Sequence, residues 1–509
     1  MVNVSRTKRT IINATWGFIN KIISILSPFI IRTIIIYILG LEYVGLNGLF
    51  TSVLQILNLA ELGISSAIVF CLYKPIAEND NLLVCAIINY LKKIYFVISV
   101  IVLCVGLLII PFLPLLINGN LPTDINLVYL YLIYLANTVF SYMFCAYKST
   151  LFNASQMVGT INNIYSILMV VEMILQIIIL VLFKNYYCFI MLMPVFTILK
   201  NILVSYFANK RFPNYKAYGN IDKSLKKEIK TKVKGLFITR LCNLTRNSLD
   251  SIFISMFIGL EIVAIYGNYY YIMTAITGIL SVITVSMTAS VGNSIISETK
   301  EKNYDDLRKF NFLFNTIVSF CSICLLFLYQ PFMKLWVGPQ YLFDDKIILL
   351  FTLYFYFLNV GSIRAVYHDA TGLWWESRYR AILETVLNLI LNLVLTYTLG
   401  VTGTILGTLI SLIIVNYFYG STIVFKEYFK ISSKQYFLDN LFYFIVTVFI
   451  AILLYFILNL IPFVGMLELI TKLMLIVLIF FPLYLICFHR TSLYKKCLST
   501  IKNNLKKRE

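Results

Sequence analysis

Charge is what this sequence has least of. Charged residues fill 13% of its 509 positions, where an ordinary soluble domain carries about 25%. That scarcity excludes a soluble fold of this length. Histidine is almost missing, with only His368 and His489 present, so metal or acid–base chemistry resting on imidazole has little to draw on. No phosphate-cradling glycine loop, metal-ligand cluster or nucleophile–base pairing stands out, and neither a resident metal nor a cofactor is expected. The ten cysteines are scattered. The pair Cys321 and Cys324 lies in an apolar stretch without histidine and reads as packing. The short alternating segments of an outer-membrane barrel are absent. A cleaved leader is not evident either: the first apolar segment contains Lys21 and Arg32 and lacks a small-residue cleavage site.

What is there is hydrocarbon. Hydrophobic residues make up 60% of the chain and mean hydropathy is +0.86. Runs such as residues 98–117 and 444–463 approach the roughly 20 residues that cross a bilayer core. The fold class predicted is an all-α integral membrane protein. Apolar stretches between loops give fourteen candidate helices, with approximate cores at 11–38, 45–72, 84–117, 127–147, 161–183, 186–208, 235–258, 262–296, 310–331, 347–370, 379–399, 402–425, 440–461 and 466–488. The third and eighth are long for one crossing, which predicts tilt or an extra turn outside the membrane.

Basic residues orient these spans. With the N-terminus in the cytosol, 30 of the 42 lysines and arginines fall in cytosolic loops and tails. Four fall in outer loops (Lys184, Lys334, Lys346, Lys472), and the remaining eight lie within spans or at their ends. Both termini are therefore expected in the cytosol. The net charge of +19 is mostly this bias, so no nucleic-acid partner is inferred from it. The loop 209–234 and the basic tail are suited to rest on anionic lipid headgroups.

The sequence repeats itself. Residues 39–48 (LGLEYVGLNG) and 258–267 (IGLEIVAIYG) agree at five of ten positions, at an offset of 219. Both stretches follow a helix that starts in the cytosol, so the halves are parallel repeats. The expected organisation is a six-helix lobe over 1–208, a basic inter-lobe loop at 209–234 and a second six-helix lobe over 235–430. Two extra helices at 431–490 and a basic tail at 491–509 follow. A weaker echo pairs Glu172 and Gln176 with Asn388 and Asn392. Glu42 and Glu261, inside the repeat, read as helix-start residues favoured by the N-terminal dipole. Two parallel six-helix lobes are the architecture of an alternating-access transporter, with a cavity between lobes.

A charge within the hydrocarbon region costs several kcal/mol, of order 3 on insertion scales, so each should face a wet cavity or a partner. The first helix carries Lys21 and Arg32, eleven residues and about three turns apart, with Pro28 between them as an expected bend. The seventh carries Arg240, Asn243, Arg246, Asn247 and Asp250 as a polar stripe. Against these cations stand Glu61, Glu172, Asp250, Asp369 and Glu384. Arg246 and Asp250, one helical turn apart, are placed to neutralise each other. Glu61, in LNLAELGIS, has no local partner in sequence and is the better candidate for cavity work.

At this point the residues resemble a family. Residues 32–69 are similar to the first two helices of the bacterial polysaccharide flippases, the capsule and O-antigen branch of the MOP superfamily. Residues 384–411 are similar to that family's eleventh and twelfth helices, with their Asn388-x3-Asn392 and the spaced glycines Gly400, Gly403 and Gly407. The resemblance implies a transporter, not an enzyme. It implies movement of undecaprenyl-pyrophosphate-linked oligosaccharide from the inner to the outer leaflet of the bacterial cytoplasmic membrane. Lys21, Arg32, Arg240 and Arg246 are then the expected grip on the pyrophosphate, which takes charge-assisted hydrogen bonds from such groups. Glu61, Asp250, Glu172 and Glu384 are the expected carriers of proton or sodium coupling. Membrane lipids, and the polymerase and chain-length machinery of the same pathway, are the expected partners.

Two other readings are open. A multidrug exporter of the related MATE branch shares the fold, but cationic drugs favour acidic and aromatic cavities. A membrane polysaccharide polymerase or glycosyltransferase calls for a sizeable outer loop with catalytic residues, and the longest here, 332–346, is short.

Overall fold

Five helices begin at a side chain that replaces a missing backbone partner. Asp80, Asn126, Asn185, Asp222 and Thr299 each accept a hydrogen bond from a backbone N–H two or three residues further on, at 3.0–3.3 Å, satisfying donors that a helix start leaves open. At Asp222 the Ser224 hydroxyl and the Leu225 N–H both favour the ionised carboxylate and hold its pKa below the ordinary value. These starts belong to a computed structural model. It describes the backbone of residues 6–506 apart from 62, 120 and 461, and side chains over that range except 6–14, 59, 60, 232, 234–236, 238–240, 242–245, 247, 289 and 500–506. All regular elements among the described residues are helical.

The chain divides into two compact units, residues 1–264 and 265–509. The first contains α1 (Arg6–Ile38), α2 (Leu41–Leu57), α3 (Ile64–Ala77), α4 (Asn81–Ile109), α5 (Leu127–Met143), α6 (Ser149–Ala154), α7 (Val158–Phe183), α8 (Tyr186–Arg211) and α9 (Lys223–Phe257), with the start of α10 (Leu260–Ser297). Within it α1 lies along α7, α5 along α8, and α9 against α2 and α3. The second unit contains the rest of α10, then α11 (Lys300–Trp336), α12 (Asp345–Val360), α13 (Ser362–Thr371), α14 (Arg378–Leu399), α15 (Val401–Ser411), α16 (Gly420–Val424), α17 (Lys434–Leu458), α18 (Met466–Phe488) and α19 (Ser492–Lys506). Here α14 lies along α15, α11 along α12, and α17, α18 and α19 pack on α11 through Phe312, Tyr443, Phe480, Tyr484, Phe488 and Leu493. Cys324 packs against the same apolar cluster.

Burial is inverted relative to a soluble protein. Leu108, Phe183 and Tyr397 face outward, while Asn388, Asn392, Thr404 and Thr408 are buried, as expected where the solvent is hydrocarbon. The protein is a multi-pass membrane protein. Eleven helices among the described residues are long and apolar enough to cross, or twelve if the bent pair α5–α6 counts as one span. The sequence's count of fourteen differs at α2–α3 and α9. A 3₁₀ turn at Asn58–Glu61 and a left-handed Gly63 split the second candidate in two, and much of the seventh candidate, 235–258 on α9, has side chains outside the described residues, leaving Ser248–Phe257 as a shorter apolar helix.

The repeated stretch is a helix start in both copies. Gly40 and Gly259 precede α2 and α10 with φ of 116° and 137°, conformations open to glycine, and Glu42 and Glu261 occupy the first turns. The two starts also touch, because a Cβ on Gly45 would lie 2.1 Å from the Leu260 carbonyl oxygen. The basic stretch 209–234 is mostly helical, leaving only 212–222 as a turn. That turn is tied back to α4: Asn89 donates to the Gly219 carbonyl at 2.7 Å and Cys85 to the Asn214 carbonyl at 3.3 Å. The tail contains α19, held to α11 by Lys496–Asp305 at 2.7 Å.

Candidate functional site

Several residues singled out by the sequence lie at polar clusters of the first unit. On α1, Asn20 donates to the Ser166 hydroxyl of α7 at 3.1 Å, and Gly17 leaves room for Asn162. Lys21 follows directly and is half-buried, its carbonyl accepting from Ser24 at 2.8 Å. Arg32 is also half-buried, three turns on, and α1 continues through Pro28. On α9, Arg246 is 8% and Asp250 2% exposed. Ser248, on the opposite side of the helix from these two, donates to Gln55 of α2 at 2.9 Å, so the Ser248 face of α9 is the one packed on α2. Arg240 lies on α9, and its side chain falls outside the described residues, as do those of Asn243 and Asn247.

Another such place is the break between α2 and α3. Glu61 closes the 3₁₀ turn and accepts from the Tyr95 hydroxyl of α4 at 3.5 Å, while Tyr142 of α5 donates to Asn58 at 3.0 Å. Rings 95 and 142 meet edge-on at 5.7 Å. The absence of a partner near Glu61 in sequence is thus corrected by the fold, which supplies a phenol from a neighbouring helix. Glu172 is joined to Lys200 of α8 at 2.7 Å, an ion pair between neighbouring helices that spacing along one helix could not reveal.

In the second unit, Glu384 of α14 is 1% exposed. It accepts from Arg380 at 2.7 Å and from Asn416 at 3.1 and 3.3 Å. The Asn416 oxygen in turn accepts from Arg364 of α13 at 3.1 Å. Arg364 and Arg380 are 4% and 8% exposed. Arg380 therefore meets the carboxylate directly and Arg364 reaches it through Asn416, and two glycines make room for Arg364: a Cβ on Gly361 would sit 2.9 Å from its Nη2, and one on Gly420 2.6 Å from its Nη1. Asn416 lies in a π-helical segment, Leu412–Tyr419, the kind of wide turn that recurs at functional sites. Sequence reading passed over Arg364, Arg380 and Asn416, although the four-residue spacing of Arg380 and Glu384 was legible. Above this junction Asn388 and Asn392 donate to Thr408 at 3.1 and 3.2 Å. Asp369 is not an interior charge. It sits at the surface end of α13, accepting from Trp374 at 3.3 Å beside His368.

One cavity of the second unit is a trough of about 670 Å³ between α11, α12, α17 and α18. Phe327, Leu349, Tyr356, Phe444 and Ala451 line its length, and Lys334, Asp345, Glu468 and Lys472 gather at one end. There Lys472 pairs with Glu468 at 2.7 Å, and Gln330 donates to Asp345 at 3.3 Å. Among the described residues no group of three His, Cys, Asp or Glu is placed to hold a metal ion.

Comparison with known proteins fits this architecture. Among solved structures, the chain is similar to a lipid II flippase MurJ in an inward closed conformation, at 17% identity and TM-score 0.68, covering 94% of this chain and 99% of that one. It is similar to an inward-facing multidrug resistance MATE family transporter of the MOP superfamily, at 16% identity and TM-score 0.61, covering 78% and 94%. It is also similar to the Vibrio cholerae MATE transporter VcmN in the bent form, at 13% identity and TM-score 0.53, covering 84% and 98%. At these identities the likeness is one of fold, and these proteins are a flippase and transporters. No curated protein matches the chain. A family model described as "Polysaccharide biosynthesis protein" matches residues 8–291. With more than half of its length matched to that model, the chain belongs to the polysaccharide biosynthesis protein family, built on the MOP-type membrane fold.

Proposed function

We propose that the protein is a flippase that moves undecaprenyl-pyrophosphate-linked oligosaccharide units across the bacterial cytoplasmic membrane by alternating access, with both termini in the cytosol. The observation that carries this reading is the trough of the second unit, apolar along its length with charged groups at one end. That is the polarity pattern of a long hydrocarbon bearing an ionic head. Family membership supports a role in sugar-polymer assembly, and the solved flippase of the same fold is described by a lipid-linked cargo. The surplus of buried guanidinium groups supports an anionic head.

Lys21, Arg32, Arg240 and Arg246 are the proposed grip on the pyrophosphate. Glu61, Asp250, Glu172 and Glu384 are the proposed carriers of proton or sodium coupling. Glu172 and Glu384 are held by lysine and arginine in this conformation, which makes them carriers only after those pairs open. The polymerase and chain-length machinery of the same pathway are proposed partners. A MATE-like exporter of cations shares the fold, but the buried cations of α9, α13 and α14 disfavour such cargo.

The test is leaflet exchange in liposomes. Purified protein is reconstituted with a fluorescent polyprenyl-pyrophosphate oligosaccharide, and outer-leaflet quenching is followed for wild type, Lys21→Ala and Arg240→Ala. Fast exchange in wild type, lost in either variant, is the expected result. No exchange under imposed proton and sodium gradients would overturn the reading in favour of small-molecule export.

A further inference from the structure

A second cavity of the same unit has no place in that cycle. It measures about 520 Å³ and lies between α12, the π-helical segment and the first half of α17, within the roughly 300–1,000 Å³ of ligand pockets. Its walls are aromatic, with Phe357, Tyr417, Phe437 and Phe444 among them. Its side is open: Phe418, Leu438 and Leu441 on the rim are 47%, 48% and 52% exposed, on a surface that in a multi-pass protein meets hydrocarbon. An occupant therefore enters sideways from the bilayer, not from water.

One end of the cavity has a different chemistry. Ser432, Ser433 and Lys434 line it, at the start of α17, a helix of 25 residues. The turn reads Lys430-Ile-Ser-Ser-Lys434. Lys430 lies 3.6 Å from half-buried Glu427, Lys434 is exposed, and the Lys434 N–H donates to the Ser432 hydroxyl oxygen at 3.2 Å. Both serine hydroxyls can still donate, and the helix start adds its positive dipole end. A cationic, donor-rich mouth on an aromatic slot open to the bilayer complements one class of molecule.

We infer that this cavity binds a single anionic phospholipid, its phosphate on the Ser432–Lys434 turn and one acyl chain between α12 and α17. The lipid fills the gap between these helices and ties α17 to the body of the unit. The site is separate from the trough proposed for cargo, although Tyr356 and Phe444 border both.

Native mass spectrometry of the full-length protein in detergent tests this, with phosphatidylglycerol and phosphatidylcholine of identical chains as probes. One tightly retained phosphatidylglycerol per protein is expected, favoured at least tenfold over phosphatidylcholine. Basic groups near a membrane surface favour anionic lipid, so Lys434→Glu should abolish that preference and Lys346→Glu, remote in sequence and matched in charge, should leave it intact. Leu441→Trp, on the exposed rim and so compatible with folding, should block the slot and cut retention at least fivefold. Equal retention of the two lipids, equal loss in both lysine variants, or unchanged retention in Leu441→Trp would each overturn the assignment. None of these readouts involves transport, so the flippase reading stands or falls separately.

Discussion

Arg364, Arg380 and Glu384 put two positive charges and one negative charge in a space with almost no solvent. Removing one partner of a buried pair costs about 3–5 kcal/mol because the other is left uncompensated. Here the count is unequal, which makes the two removals unequal. Arg380→Gln leaves Arg364 and Glu384, one charge of each sign, both still bonded to Asn416. Glu384→Gln leaves two buried guanidinium groups and no carboxylate. The expected outcome is a clearly larger drop in apparent thermal midpoint for Glu384→Gln than for Arg380→Gln, measured in detergent on the two purified variants. Equal drops would contradict the unequal charge count.

At the scale of elements, two glycines set how closely α14 and α15 approach. A Cβ on Gly403 would stand 1.8 Å from the Leu395 carbonyl oxygen, and one on Gly407 would stand 3.0 Å from the Asn392 backbone nitrogen. Backbone cannot swing aside as a side chain can, so the helices would have to separate, breaking the Asn388 and Asn392 bonds to Thr408. Gly292 in α10 has open space around it. Gly403→Ala should therefore destabilise by about 1–3 kcal/mol or more, whereas Gly292→Ala should be neutral or stabilise by up to about 1 kcal/mol. Unfolding midpoints of the two alanine variants check this, and similar midpoints would contradict the packing described. Small residues at tight helix contacts are the usual means of association where the solvent is itself apolar.

For the whole molecule, the distribution of basic residues predicts an orientation that single cysteines can read in a cysteine-free background. Lys216→Cys, in the turn between α8 and α9, should react with a membrane-impermeant maleimide only after cells are permeabilised. Gln340→Cys, in the turn before α12, should react in intact cells. Both positions are exposed, and the reverse pattern would invert the topology. The sequence alone determined the helical membrane class, most helix positions and the paired glycine–glutamate helix starts. Each of these depends on local composition, on a backbone conformation that only glycine takes readily, or on the cost of charge in hydrocarbon. Only the tertiary structure decided the partners. Glu61 meets Tyr95, Glu172 meets Lys200 and Arg364 meets Asn416, each across separate helices. Those contacts depend on how helices rotate and approach, which no spacing along one helix encodes. The same holds for the 3₁₀ break after α2 and the π-helical turn at Asn416, where packing outweighs weak local preference.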